Sequence, residues 1–195
     1  MNSATEPTAV ASPWNMPNAL TLLRIVLVPL FVVVFLADAG GDTTMRLWAA
    51  AIFVVAIATD WLDGDLARRQ GLVTDFGKIA DPIADKALIG AALICLSIVD
   101  ELAWWVTIVI MLREVGVTVL RFVVIRRGVI PASRGGKMKT VLQSVGLLLL
   151  ILPLTGLLDT VGLVVMYLAL IVTVVTGADY VVQASRVWRG TSGVT

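Results

Sequence analysis

The sequence predicts an all-α polytopic membrane protein of six transmembrane helices with a short N-terminal interfacial segment. Three observations carry that expectation. Hydrophobic residues fill 58% of the 195 positions and charged residues only 15%, with a mean hydropathy of +0.95. A soluble domain of this size has no use for so much apolar surface. The apolar residues gather into six stretches, roughly 19–37, 47–66, 79–99, 103–125, 141–158 and 161–184. Each is about 17–24 residues long, enough to cross a hydrocarbon core of about 30 Å. Finally, the basic residues fall almost entirely on one side of such an arrangement.

Taken in order, residues 1–12 read as a disordered cytoplasmic tail. Trp14, beside Pro13 and Pro17, suggests a segment lying at the interface. The first apolar stretch is expected to be retained, because polar sequence without a basic n-region precedes it. Arg68, Arg69, Lys78, Arg126, Arg127, Arg134, Lys137, Lys139, Arg186 and Arg189 share one side, which the positive-inside rule makes cytoplasmic. Arg46 faces Asp38, Asp42, Asp100, Glu101 and Asp159 on the other. Both termini are then cytoplasmic. Residues 13–189 form a single membrane domain, and residues 190–195 read as a second disordered tail. A net charge of +1 gives no reason to expect a nucleic-acid partner. The single Cys95 excludes an internal disulfide, and the absence of His removes the usual zinc and general-base options.

The chemistry is expected between the second and third stretches, where the residues read Asp60-x2-Asp63-Gly64-x2-Ala67-Arg68-x8-Gly77-x3-Asp81-x3-Asp85. Asp60 and Asp63 are i, i+3, and Asp81 and Asp85 are i, i+4, so each pair shares a helix face. A short cytoplasmic connection makes the two helices antiparallel neighbours whose acidic faces can meet. Acids within apolar segments are expensive and mark function by default. Four carboxylates without His or Cys make an all-oxygen site, suited to Mg²⁺ or Mn²⁺. Two such ions suit phosphoryl chemistry, and Arg68 adds a fork-shaped phosphate donor. Gly64, Ala67 and Gly77 leave room for close approach. The plainer reading, acids salt-bridged to nearby cations, suffices for Asp65 and Asp75, which lie off the shared faces.

That spacing resembles the signature of the CDP-alcohol phosphatidyltransferase family at every specified position. The resemblance implies six transmembrane helices, a two-metal Mg²⁺ site, and transfer of a phosphatidyl group from a CDP-linked lipid to an alcohol with release of CMP. By position, it implies that Asp60, Asp63 and Asp81 are metal ligands. Asp85 becomes the catalytic base, also touching the second metal. Asp63, Gly64, Ala67, Arg68, Thr74, Gly77 and Asn18 would contact the CDP-lipid. A homodimer in a bacterial cytoplasmic membrane is implied by the resemblance alone.

The signature does not choose the acceptor. Met16 to Arg24, Asp81 to Lys86, Arg113 to Gly116 and Gly136 to Thr140 resemble bacterial members that use glycerol 3-phosphate. The stretch from Trp104 through Thr140 is most similar to actinobacterial ones. Arg113 and Arg121 are i, i+8, within about 80° of one face. With Lys137 and Lys139 they offer a basic wall opposite the acids, which suits an acceptor that is itself a phosphate. The expected partners are therefore CDP-diacylglycerol, glycerol 3-phosphate and membrane lipids. Inositol phosphate remains open as the acceptor, and Arg113 could instead pair with Glu114 and only fix helix packing. From another class, a small divalent-cation transporter could use four acids, but it has no need of Arg68 beside them.

Overall fold

In a computed structural model, residues 16–70, 75–124 and 134–190 are described, except for side chains at 16–18, 60–70, 75–82, 85, 122, 124, 134–135 and 187–190. The expected tail at 1–12, the interfacial Trp14 and residues 191–195 of the tail expected at 190–195 lie outside the described residues, whereas Gly190 is the last residue of the sixth helix. Six helices follow one another: α1 Met16–Leu36, α2 Thr43–Gln70, α3 Asp75–Ile98, α4 Trp104–Val124, α5 Arg134–Ile151 and α6 Leu157–Gly190. No strand occurs among the described residues.

Side-chain periodicity decides how the helices pack. In α1 the buried positions are Thr21, Arg24, Phe31 and Phe35, a stripe at helical spacing that faces α2 and α3. Phe31 lies 5.7 Å from Phe35 and 5.9 Å from Phe53 of α2, ring centroid to ring centroid. Leu93, Leu96, Ile110, Leu147, Ile151 and Met166 complete a core drawn from α3 to α6. Outside that core the bundle shows large apolar side chains to its surroundings, among them Val33, Leu112 and Val175. An apolar exterior around a packed interior is what a lipid solvent selects.

The turns have local causes. Asp42 caps α2, its Oδ1 accepting from the Thr44 and Met45 amides at 2.6 and 3.2 Å. At the end of α3 the Glu101 amide donates to Leu96 O (3.0 Å) and the Asp100 amide to Ser97 O (3.3 Å). That pair of bonds is a Schellman motif, and it requires Asp100 to hold φ 61°. The motif delivers Glu101 to Arg46, whose guanidinium grips both carboxylate oxygens, donates to Leu150 O at 3.0 Å and lies 5.3 Å from the Phe35 ring centroid. One end of the bundle is thus pinned by a single ion pair.

The fifth apolar stretch, expected at 141–158, is shifted in the structure. α5 starts at Arg134 and stops at Ile151, because Pro153 lacks an amide and disfavours helix in the residue before it. Hydropathy finds lipid-compatible sequence, whereas the polar turn from Arg134 to Lys139 is helical without being apolar. By length and composition, Ala19–Leu36 and Leu157–Arg186 are apolar enough to cross a membrane among the described residues, and Thr43–Thr59 and Lys86–Ile98 are shorter apolar segments.

α5 and α6 approach closely through glycine. A Cβ on Gly146 would stand 3.1 Å from Met166 N and 3.2 Å from its Cα, while one on Gly116 would meet nothing within 4 Å. Gly146→Leu should therefore lower stability by about 1–3 kcal/mol through overpacking. Gly116→Ala should raise it by up to about 1 kcal/mol through helix propensity. Thermal unfolding of the two variants in detergent checks the contrast.

Candidate functional site

The acid motif is divided between two touching helices. Asp60, Asp63, Gly64, Ala67 and Arg68 fall in the last turns of α2, and Gly77, Asp81 and Asp85 in the first turns of α3. Their side chains, and that of Asn18 in α1, lie outside the described residues, as does Thr74 altogether. The described side chains of α3 begin with Ile83 and Ala84, and from Lys86 onward they define what stands next to the motif. No group of three or more acidic or Cys side chains occurs among them.

What stands there is a charged cluster half-way along the bundle. Glu114 lies about 15 Å from the start of α4, by the rise of a helix. Its Oε1 accepts from Lys139 of α5 and, at 3.0 Å, from Arg113 Nη1. Its Oε2 accepts from Lys86 of α3 at 3.3 Å. Arg113 also reaches α6, where Nε donates to Thr173 O at 3.0 Å and Nη2 to Thr176 Oγ1 at 2.9 Å. One carboxylate and three cations thereby link four helices, with a net charge of +2.

Local sequence explains the arrangement. Arg113 crosses α6 at Gly177, where a Cβ would stand 2.9 Å from Arg113 Cγ and 3.1 Å from its Nε. Any larger residue displaces the guanidinium. Thr176 Oγ1 is also close to Val172 O, 2.7 Å away, so it can donate there while accepting from Arg113. Lys137 and Lys139 are two residues apart, about 200° around the helix, so one face cannot hold both. Lys139 is buried in the cluster and Lys137 is exposed. Arg121 is exposed and lies 5.9 Å from the Tyr180 ring centroid, also on α6. Arg24 is buried on α1, which does not touch α6, and Asp179 of α6 accepts from Gln183 at 2.7 Å.

Beside the cluster is a cavity of about 50 Å³ between α3, α4 and α5. Lys86, Glu114, Lys139 and Thr140 form its charged and polar side, and Ile89, Gly90, Leu93 and Met111 its apolar side. Gln143, one turn beyond Lys139, closes it. Ile89 follows Asp85 by four residues, so the cavity continues the face of α3 that carries Asp81 and Asp85. Lys86, Gln143, Thr173 and Thr176 were not anticipated as site residues. The i, i+4 spacing of Lys139 and Gln143, and the Thr-x2-Thr-Gly run of α6, were the available signals.

With this geometry in hand, comparison with known proteins is informative. The sequence model described as CDP-alcohol phosphatidyltransferase matches residues 14–175. A probable phosphatidylglycerophosphate synthase of Mycobacterium tuberculosis H37Rv is 54% identical over 172 residues, covering 88% of this chain and 82% of the relative. A CDP-diacylglycerol–glycerol-3-phosphate 3-phosphatidyltransferase of Bacillus subtilis strain 168 is 42% identical over 180 residues, covering 86% and 93%. One of the same description from Shigella flexneri is 35% identical over 177 residues, covering 88% and 95%.

Removing Glu114, the only anion of the cluster among the described residues, isolates its electrostatic role. Glu114→Gln leaves three cations facing one another and should destabilise the protein by about 3–5 kcal/mol. Adding Lys139→Met should recover part of that loss, because it removes the repulsion most deeply buried. A double-mutant cycle by thermal unfolding in detergent reads the coupling, and strict additivity would contradict the assignment.

Proposed function

The chain belongs to the CDP-alcohol phosphatidyltransferase family, and from that premise we propose that it transfers the phosphatidyl group of CDP-diacylglycerol to glycerol 3-phosphate. The products are phosphatidylglycerophosphate and CMP, which makes the chain an enzyme of phospholipid biosynthesis. The observation that carries the acceptor is the cluster of Lys86, Arg113, Lys139 and Glu114, whose net +2 matches a phosphate monoester dianion. Serine or choline gives such a cluster nothing to neutralise. Relatives named for glycerol-3-phosphate transfer support the same reading.

In the reaction, the acceptor phosphate sits at Lys139 and the neighbouring cations. Lys86 and Arg113 complete that basic wall; Arg121 lies two turns further along α4, and Lys137, on the opposite face of α5 from Lys139, stands outside it. The primary hydroxyl of the acceptor lies toward Asp85, which takes its proton as general base. The hydroxyl oxygen bonds to the lipid-side phosphorus while the pyrophosphate P–O bond breaks, and CMP departs with the electron pair. Arg68 balances the charge of the departing phosphate. Asn18, Asp63, Gly64, Ala67, Thr74 and Gly77 hold the CDP end of the donor.

The donor set fits a hard divalent cation: four carboxylates on two touching helices, in a chain without His. Asp60, Asp63, Asp81 and Asp85 would hold two Mg²⁺ ions. Bound there, the ions supply charge neutralisation at the pyrophosphate oxygens.

The apolar exterior supports a six-span protein of the bacterial cytoplasmic membrane, with residues 13–189 as one domain and the site open to the cytoplasm. Exposed Lys137, Arg121 and Arg186 then lie on the cytoplasmic side with both termini. A homodimer belongs to this reading on family likeness alone.

Asp85→Asn removes the base and keeps the shape. CMP release should fall by at least about 10²–10⁴-fold, the usual worth of a positioned general base. Binding of CDP-diacylglycerol should persist within a few-fold. Near-normal turnover in purified Asp85→Asn protein would overturn the assignment.

A further inference from the structure

The cavity beside the cluster contains a group that the proposed mechanism does not use. Gln143 is 2% exposed, and its Nε2 has no hydrogen-bond partner among the described residues. An unpaired amide in an apolar bundle is costly enough that such groups normally find a partner. Gln143 lines the same cavity as Lys86, Glu114 and Lys139, one helical turn beyond Lys139 on the same face of α5. The cavity therefore holds the unpaired amide beside the charged groups of Lys86, Glu114 and Lys139.

Its size selects what fits. At about 15 Å³ of such volume per water, 50 Å³ has room for about three water-sized groups, enough for the middle carbon and hydroxyl of a three-carbon alcohol. An inositol ring is twice that number of carbons with five free hydroxyls, and Leu93, Met111 and Ile89 present no partners for them. We propose that the Gln143 amide is a specificity-determining residue that hydrogen-bonds the middle hydroxyl of the acceptor. This deepens the glycerol 3-phosphate reading and rests on it. The phosphate at Lys139 and the attacking hydroxyl toward Asp85 fix the two ends of the molecule. Gln143 then reads the one remaining polar group. A hydroxyl suits it chemically, since it accepts from Nε2 and donates to Oε1.

The test compares glycerol 3-phosphate with 3-hydroxypropyl phosphate, which keeps the phosphate and the attacking hydroxyl but lacks the middle one. CMP release is followed with purified protein, CDP-diacylglycerol and Mg²⁺. Unchanged protein should prefer glycerol 3-phosphate by at least about tenfold in kcat/KM, since a site built for a hydroxyl rejects the analogue without it. In Gln143→Met the preference should shrink by about tenfold, mostly through a higher KM for glycerol 3-phosphate. Turnover of the shorter acceptor should stay within a few-fold. Gln143→Leu also lacks the amide without adding charge and carries the test should Gln143→Met not fold. A parallel loss with both acceptors, or an unchanged preference, overturns the role of Gln143 and reduces it to packing. Absence of glycerol 3-phosphate turnover in the unchanged protein is a different result, because it overturns the acceptor assignment itself.

Discussion

Burying charge in an apolar helical bundle is the constraint on which the rest of this structure depends. An isolated ion half-way through such a bundle costs several kcal/mol even after relaxation. Lys86, Arg113, Lys139 and Glu114 meet this demand together, and each arrives from a position that the others fix. Glu114 accepts from α3, α4 and α5, and Arg113 carries the link onward to α6. Helix packing and site electrostatics are consequently one problem. Gly177 illustrates it: the missing side chain on α6 is what lets Arg113 lie flat against the Thr173 carbonyl.

Among the described residues the bundle has two charged levels separated by a largely apolar core. At one level Arg46 and Glu101 close a simple pair, with Leu150 O accepting a further hydrogen bond and the Phe35 ring beside the guanidinium. That pair balances, so it can serve stability alone. At the other level, among the described side chains, three cations share one carboxylate, an excess of positive charge that suits the proposed anionic acceptor. The residual +2 sits one residue from Asp85 and therefore beside the acid motif. Opposite charge on adjoining walls is what phosphoryl transfer between two phosphate-bearing substrates requires.

Much of this was legible in the sequence, and the exceptions have physical causes. Each of the six apolar stretches falls largely within a helix of its own, because runs of that length and composition have few alternatives. α5 was displaced because hydropathy reports solvent preference and Pro153 reports where helix ends. The acid motif was readable from spacing alone, since i, i+3 and i, i+4 pairs define faces without tertiary knowledge. The basic wall was only half readable. Sequence offers Lys137 and Lys139 as equals, and only packing against Glu114 decides which turns inward. Gln143 carried only the faint signal of its i, i+4 spacing from Lys139, because a polar residue in an apolar helix declares itself only when its partners are counted.

The central claim is that an anionic three-carbon alcohol is the acceptor at the junction of these two walls. The most direct measurement is CMP release by the purified protein from CDP-diacylglycerol and Mg²⁺, with glycerol 3-phosphate and inositol phosphate offered side by side. Turnover with glycerol 3-phosphate and none above background with inositol phosphate is the predicted result. Turnover with inositol phosphate in place of glycerol 3-phosphate would contradict the account, keeping the acid motif but not the acceptor.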